Sequence, residues 1–161
     1  MGLVFFLMEE SDGEPENPEE VQKWCGLAAD QGYPLAYLMM SALAMEGVGV
    51  EPDAKEAVKW LGRVAEKGDT GGMLMLASLY HDGGPGLEKD AREAEKWYRK
   101  AIEKGNNDAL GELAQLYVEG GPGLAPDARK AVELYRQAID KGSDYLLDTL
   151  AQLYLEGGPG L

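Results

Sequence analysis

The sequence predicts an all-α chain, a solenoid of antiparallel helical hairpins, and three observations carry that prediction. GGPGL occurs at 83–87, 120–124 and 157–161, so the chain has an internal period of 37 residues, and a one-residue-shorter relative, Gly47-Val48-Gly49-Val50, precedes the first copy. Periods of this size mark arrays in which one unit cannot bury its apolar face alone. Each period also holds two stretches with apolar residues at helical spacing, whereas no segment alternates with period two, so no sheet is expected. Laid on this period, the units are 14–50, 51–87, 88–124 and 125–161.

The first helix of a unit is an amphipathic stripe. Ala128, Ala131, Tyr135, Ala138 and Ile139 stand at i, i+3, i+7, i+10 and i+11; Ala91, Ala94, Tyr98, Ala101 and Ile102 repeat them one unit earlier, and Ala54, Ala57, Leu61, Val64 and Ala65 two units earlier. Asn17, Asp53, Asp90 and Asp127 are N-cap residues, the first three with a glutamate three residues on. Lys67-Gly68, Lys104-Gly105 and Lys141-Gly142 close the helices, because a cation suits the negative end of the dipole and glycine accepts the left-handed position beyond it. The second helix starts at Asp69, Asn106 or Ser143, with Pro34 in the first turn of its earliest copy. Its stripe is Leu110, Leu113, Ala114 and Tyr117, repeated as Met73, Leu76, Ala77 and Tyr80 and as Leu147, Leu150, Ala151 and Tyr154. The glycine-proline loop then turns the chain, with Leu124 expected to tuck back as an anchor.

Composition narrows the partners. Over 161 residues, 15 Lys+Arg against 29 Asp+Glu leave a net charge of −14, which disfavours nucleic acid and anionic membrane and favours encounter with a basic partner. Seven acids, Glu9 to Glu20, precede the first basic residue, Lys23, and read as a solvated linker and helix start. Cys25 is the only cysteine, so the chain can form neither an internal disulfide nor a thiolate metal cluster, and a reducing compartment fits. The apolar run Leu3 to Met8 is too short for a membrane helix and lacks a basic leader, which points to the cytoplasm.

Leu113-Ala114, Tyr117, Gly120 to Leu124, Asp127, Ala131, Leu134-Tyr135, Ala138 and Gly142 form one pattern, carried more fully by Asp90, Ala94, Trp97-Tyr98, Ala101 and Gly105. It resembles the Sel-1-like repeat (SLR) family, a relative of the tetratricopeptide repeats. The resemblance covers about 14–161 and implies a right-handed superhelix of about four units, with 1–13 an apolar and acidic capping segment. Leu3, Val4 and Leu7 fit the frame as a truncated second helix. Departures are Ala44 in place of the tyrosine and Cys25 in place of the Tyr98 equivalent.

Most conspicuous residues read as packing. Tyr80, Tyr117 and Tyr154 sit in core register, and Trp24, Trp60 and Trp97 read as packing side chains. The GGPG loops lack the strand and the Lys-Ser/Thr of a phosphate cradle. His81, the only histidine, has no second ligand or nucleophile beside it and reads as a surface residue. No catalytic, cofactor or metal site is therefore expected. The resemblance implies that partners bind a concave wall lined by the exposed side of the second helices. In the first two units that side presents Leu35, Leu38 and Met45, then Leu74, Ser78, His81 and Asp82. In the last two it presents Asp108, Gln115 and Glu119, then Tyr145, Asp148, Gln152 and Glu156. Apolar residues first and acids after suit a partner with an apolar tip and a basic body. The function expected is a non-enzymatic protein–protein interaction scaffold or adaptor; the alternative is an acidic immunity-type inhibitor of a basic toxin or nuclease. The last hairpin, 127–156, carries the same stripe as interior ones, so homodimer formation through it is also expected.

Overall fold

The computed structural model describes residues 17–48 and 50–157. The proposed capping segment 1–13, the apolar run within it and the last GGPGL beyond Gly157 lie outside the described residues. Among the described residues eight α-helices follow one another: α1 (Pro18–Asp30), α2 (Pro34–Glu46), α3 (Ala54–Glu66), α4 (Thr70–Asp82), α5 (Ala91–Glu103), α6 (Asp108–Glu119), α7 (Ala128–Asp140) and α8 (Leu147–Glu156). Among the described residues there is no strand; two isolated bridges, Gly84 with Leu87 and Gly121 with Leu124, close the glycine loops.

The helix starts follow the sequence closely. Asn17 accepts the Glu20 amide at 3.2 Å, and Asp53 those of Lys55 and Glu56 at 2.9 and 3.2 Å. Asp90 accepts from Arg92 and Glu93, and Asp127 from Lys130, at 3.0–3.1 Å. Each cap satisfies amides that the first helical turn leaves unpaired. Asp69 caps α4 at 2.7 Å, and Asn106 accepts the amides of Asp108 and Ala109. Ser143 departs from expectation: its side chain makes no cap bond and is buried, and a 3-10 turn, Asp144–Leu146, leads into α8 at Leu147.

The chain divides into two compact units. The first comprises residues up to Val64 with the loop 84–87. Its core joins Ala29, Ala36, Tyr37 and Val64, with Trp60 packed against them and its ring 6.1 Å from that of Tyr37. A second cluster joins Val21, Cys25 and Leu43, and burial pushes the Cys25 thiol up, away from thiolate chemistry. The loop 84–87 belongs here because the Ala54 amide donates to the Pro85 carbonyl at 2.8 Å.

The second unit comprises 65–83 and 88–157 of the described chain. Within it α4 packs on α5, α5 on α6, α6 on α7 and α7 on α8. Both helical stripes are in place: Ala91, Ala94, Tyr98 and Ala101 are fully buried, as are Leu110, Leu113, Ala114 and Tyr117. Alanines let consecutive helix backbones approach closely, while Tyr98, Tyr117 and Tyr135 fill space between them. Leu87 and Leu124 are half-buried, partial anchors for their loops.

Three packing expectations need correction. Tyr80 is half-buried and Tyr154 is 47% exposed, whereas Tyr117 is 2% exposed, so only one of the three tyrosines is full core. Leu147 is 53% exposed against 1% for its register mate Leu110, because no described helix covers the face of α8 that α7 covers on α6. Trp24 stands 49% exposed on α1, with the Lys23 ammonium 5.7 Å from its ring centroid, while Trp60 and Trp97 are half-buried.

Candidate functional site

The exposed side of the second helices differs between the two units. In the first, Leu35 on α2 is exposed, but Leu38 packs against the Ala29–Tyr37–Val64 cluster and Met45 is half-buried. The apolar patch is thereby reduced mainly to Leu35.

In the second unit the corresponding side is a hydrogen-bonded polar ladder. The Nε2 of His81 on α4 lies 3.0 Å from the Glu119 carboxylate on α6. Gln115 donates to the other Glu119 oxygen at 2.6 Å and accepts the Tyr135 hydroxyl at 2.8 Å. Ser78 bonds the Leu74 carbonyl at 3.1 Å and lies 3.2 Å from the Tyr98 hydroxyl. The donors at Glu119, first Gln115 and then His81, outweigh its partial desolvation and hold its carboxyl below the usual range. Burial pushes the Tyr98 and Tyr135 hydroxyls up to about 12, so both remain neutral donors. His81 is thus a half-buried, paired residue rather than a free surface histidine.

Asp82, Asp108 and Asp148 are exposed, as are Tyr145, Gln152 and Glu156, with Gln152 donating to Glu156 at 2.5 Å. The structure therefore brings His81, Glu119, Gln115 and the core Tyr135 into one bonded chain, and pairs Ser78 separately with the core Tyr98. Sequence reasoning missed Tyr98 and Tyr135 as members of this face, since it counted them as packing only. The signal was the hydroxyl: Leu61 and Cys25 hold the same register place without one.

A second polar cluster lies on another side of α6. The Tyr117 hydroxyl donates to Glu95 at 2.5 Å and accepts from Arg99 at 2.8 Å, and the Lys130 ammonium sits 5.1 Å from the ring centroid. Burial alone would raise the Glu95 carboxyl, but the bonds from Tyr117 and Arg99 prevail and lower it. Among the described residues no buried side-chain polar atom lacks a partner, and no group of His, Cys, Asp and Glu is placed to hold a metal ion. Within the same residues no helix is long and apolar enough to cross a membrane.

Repeated capped hairpins with alanine-tyrosine junctions define an all-α helical-repeat protein of the solenoid class. The Sel1 repeat matches residues 1–33, 34–69, 71–106 and 107–143, and the chain belongs to that family. Three of the matches pair a second helix with the first helix of the next period, α2 with α3, α4 with α5 and α6 with α7, so the family frame has the same period in a different phase. No curated protein matches the chain. Among solved structures, a protective antigen of uropathogenic Escherichia coli displaying an SLR fold superposes with TM-score 0.72 at 25% identity, over 98% of this chain and 33% of that one. A Sel1 repeat protein from Oxalobacter formigenes gives 0.69 at 30% identity, over 96% and 62%. The cysteine-rich protein B of Helicobacter pylori gives 0.52 at 20% identity, over 79% and 95%, and shares the fold. The chain thus spans about a third and about three fifths of the first two. Sel1-repeat proteins generally mediate protein–protein interaction and are typically non-catalytic.

Proposed function

We propose that this protein is a non-enzymatic adaptor that binds a basic protein or peptide on the exposed side of its second helices. The observation that supports the reading is the bonded set of His81, Gln115 and Glu119, a pre-ordered polar surface on a chain of net charge −14 whose Asp82, Asp108 and Asp148 are exposed. Pre-bonded side chains lose little freedom on binding, and exposed acids speed encounter with a cation-bearing partner. The cytoplasm, where basic clients are plentiful and a lone buried thiol stays reduced, suits this role.

The test starts from a partner recovered by affinity capture with the intact protein. Its association rate should fall as salt rises, because exposed charges are screened within about 8 Å at physiological ionic strength. Reversing Asp108, Glu119 and Asp148 to lysine should slow association further and leave helicity unchanged. An association rate indifferent to both changes would reduce the charge to a solubility feature. One stoichiometric basic toxin or nuclease, inactive when bound, would favour the immunity-type reading over the adaptor.

We also infer that the α7–α8 hairpin pairs with a second copy of the chain. Leu147 and Tyr154 are half exposed where Leu110 and Tyr117 are buried, and surface of this kind is ordinarily covered in a repeat array. Sedimentation across a wide concentration range should show a monomer–dimer equilibrium that Tyr154→Glu abolishes. A strict monomer at high concentration would remove the case.

A further inference from the structure

Between α5 and α7, above α6, lies a cavity of about 350 Å³. Its lining includes the half-buried Ile102 and Leu134 over the fully buried Leu110 and Leu113, together with two exposed carboxylates, Glu103 and Glu133. Tyr117 is part of its lining and Gln115 and Glu119 are not, so it does not depend on the polar ladder.

The register of the repeat explains the cavity. Leu134 occupies the place that Trp97 holds one period earlier, where the indole is half-buried and the Lys100 ammonium lies 4.0 Å from the ring centroid. A four-carbon side chain cannot fill the room of an indole. The helices cannot close the difference, because Ala91, Ala94 and Ala101 on α5 and Ala128, Ala131 and Ala138 on α7 are already fully buried. Packed surroundings relax only partly around a smaller side chain, so a cavity persists.

Two charged positions of the lining are also exchanged relative to the preceding period. There Lys96 pairs with Glu93 at 2.9 Å. Here the order is inverted: Lys130 stands in the glutamate's place and pairs with Asp127 at 3.2 Å, and Glu133 stands in the lysine's place. Arg99 is taken up by Glu95 and Tyr117. Among the described residues Glu133 and Glu103 form no ion pair, whereas Arg99 and Lys130 in the same lining are already paired with Glu95 and Asp127, which leaves the two glutamates open to an incoming cation.

We propose that this cavity is an anchor site for one aromatic side chain of a protein partner, flanked by a lysine or arginine that meets Glu133 and Glu103. The volume is near the lower end of the roughly 300–1,000 Å³ range of ligand pockets, enough for a single aryl group. Aromatic and cationic side chains seated in desolvated pockets are the usual anchors of protein interfaces. The ring takes the place that the indole of Trp97 takes by register, and the cation supplies the charge that Lys96 supplies there.

The intact protein, carrying labelled leucine and isoleucine methyls, is titrated with the peptide Ac-Gly-Trp-Lys-Gly-NH2 and followed by NMR. Saturable shifts confined to the methyls of Ile102, Leu110, Leu113 and Leu134 are expected, with millimolar affinity, about −4 kcal/mol. Leu134→Trp, which restores the indole from within, should abolish the shifts, and Glu133→Lys should weaken binding severalfold. Replacing the peptide's tryptophan by alanine should remove binding. Absence of saturable shifts in the unmodified protein, or shifts that survive Leu134→Trp, would overturn the proposal. Should Leu134→Trp lose its helical circular-dichroism signal, unchanged affinity in Glu133→Lys, a change on the helix surface, overturns it instead.

Discussion

Tyr117→Ala is expected to destabilise the protein by about 3–5 kcal/mol, the range for truncating a buried aromatic residue. The ring is 2% exposed and sits at the centre of the α5–α6–α7 layer, where Leu110 and Leu113 share its stripe. Truncation also removes the hydroxyl that joins Glu95 to Arg99 and the ring that the Lys130 ammonium faces. Glu95 keeps its 3.0 Å contact with Arg99, so the carboxylate is not stranded. The aromatic volume, rather than the polar network, therefore dominates the loss. Tyr117→Phe separates the two and should cost less, about 1.5–3 kcal/mol, the range for hydrogen bonds to charged groups. Because neighbouring hairpins stabilise one another, the Ala variant should lower the cooperativity of urea unfolding as well as its midpoint. A loss below about 1 kcal/mol for the Ala variant, the level of a surface change, would place the ring outside the core.

Much of this architecture could be read from the sequence because it is written locally. The caps at Asp53, Asp90 and Asp127 act on amides two or three residues away, and the Ala-x-x-Ala spacing fixes which side of each first helix is buried. What could not be read depends on neighbours. Tyr117 and Tyr154 have the same local sequence, LAQLY, yet one is buried and the other half exposed, because burial is decided by the helix laid across them. Ser143 looked like a cap beside Asn106 and Asp69, but the chain tightens into a 3-10 turn before α8 instead.

The candidate face shows the same division. Its register was legible, and Asp108, Asp148 and Glu119 are exposed as expected, but their surroundings were not. His81 meets Glu119 across 38 residues, and Gln115 meets Tyr135 across 20. Such pairs follow from the phase in which consecutive hairpins stack, which a one-dimensional pattern leaves open. The cavity over α6 was hidden for a related reason: Leu134 in place of Trp97 was visible in the sequence, but only the packed junction shows that nothing else fills the space.

Gly120→Ala is expected to cost about 2–6 kcal/mol through two effects that act together. Gly120 ends α6 at φ 67, ψ −159, a region open essentially to glycine, and holding a side chain there costs of order 1–3 kcal/mol. A Cβ at that position would also lie 2.6 Å from Cδ of Pro126 and 2.8 Å from its backbone nitrogen. Overpacking of this kind costs typically 1–3 kcal/mol. Pro126 cannot retreat freely, because the next amide, Asp127, donates to the Tyr117 carbonyl at 2.7 Å and the Asp127 side chain caps α7. The loop glycine, the α6 terminus and the α7 start are thus one mechanical unit. Gly105→Ala is the matched control: its φ is also positive, at +93, but a Cβ there meets nothing within 4 Å, so only the conformational cost of about 1–2 kcal/mol applies. Chemical denaturation of the two variants side by side measures the difference. If Gly120→Ala were no more destabilising than Gly105→Ala, the contact with Pro126 would not constrain the turn, and the recurrence of GGPGL at 83–87 and 120–124 would need another physical cause.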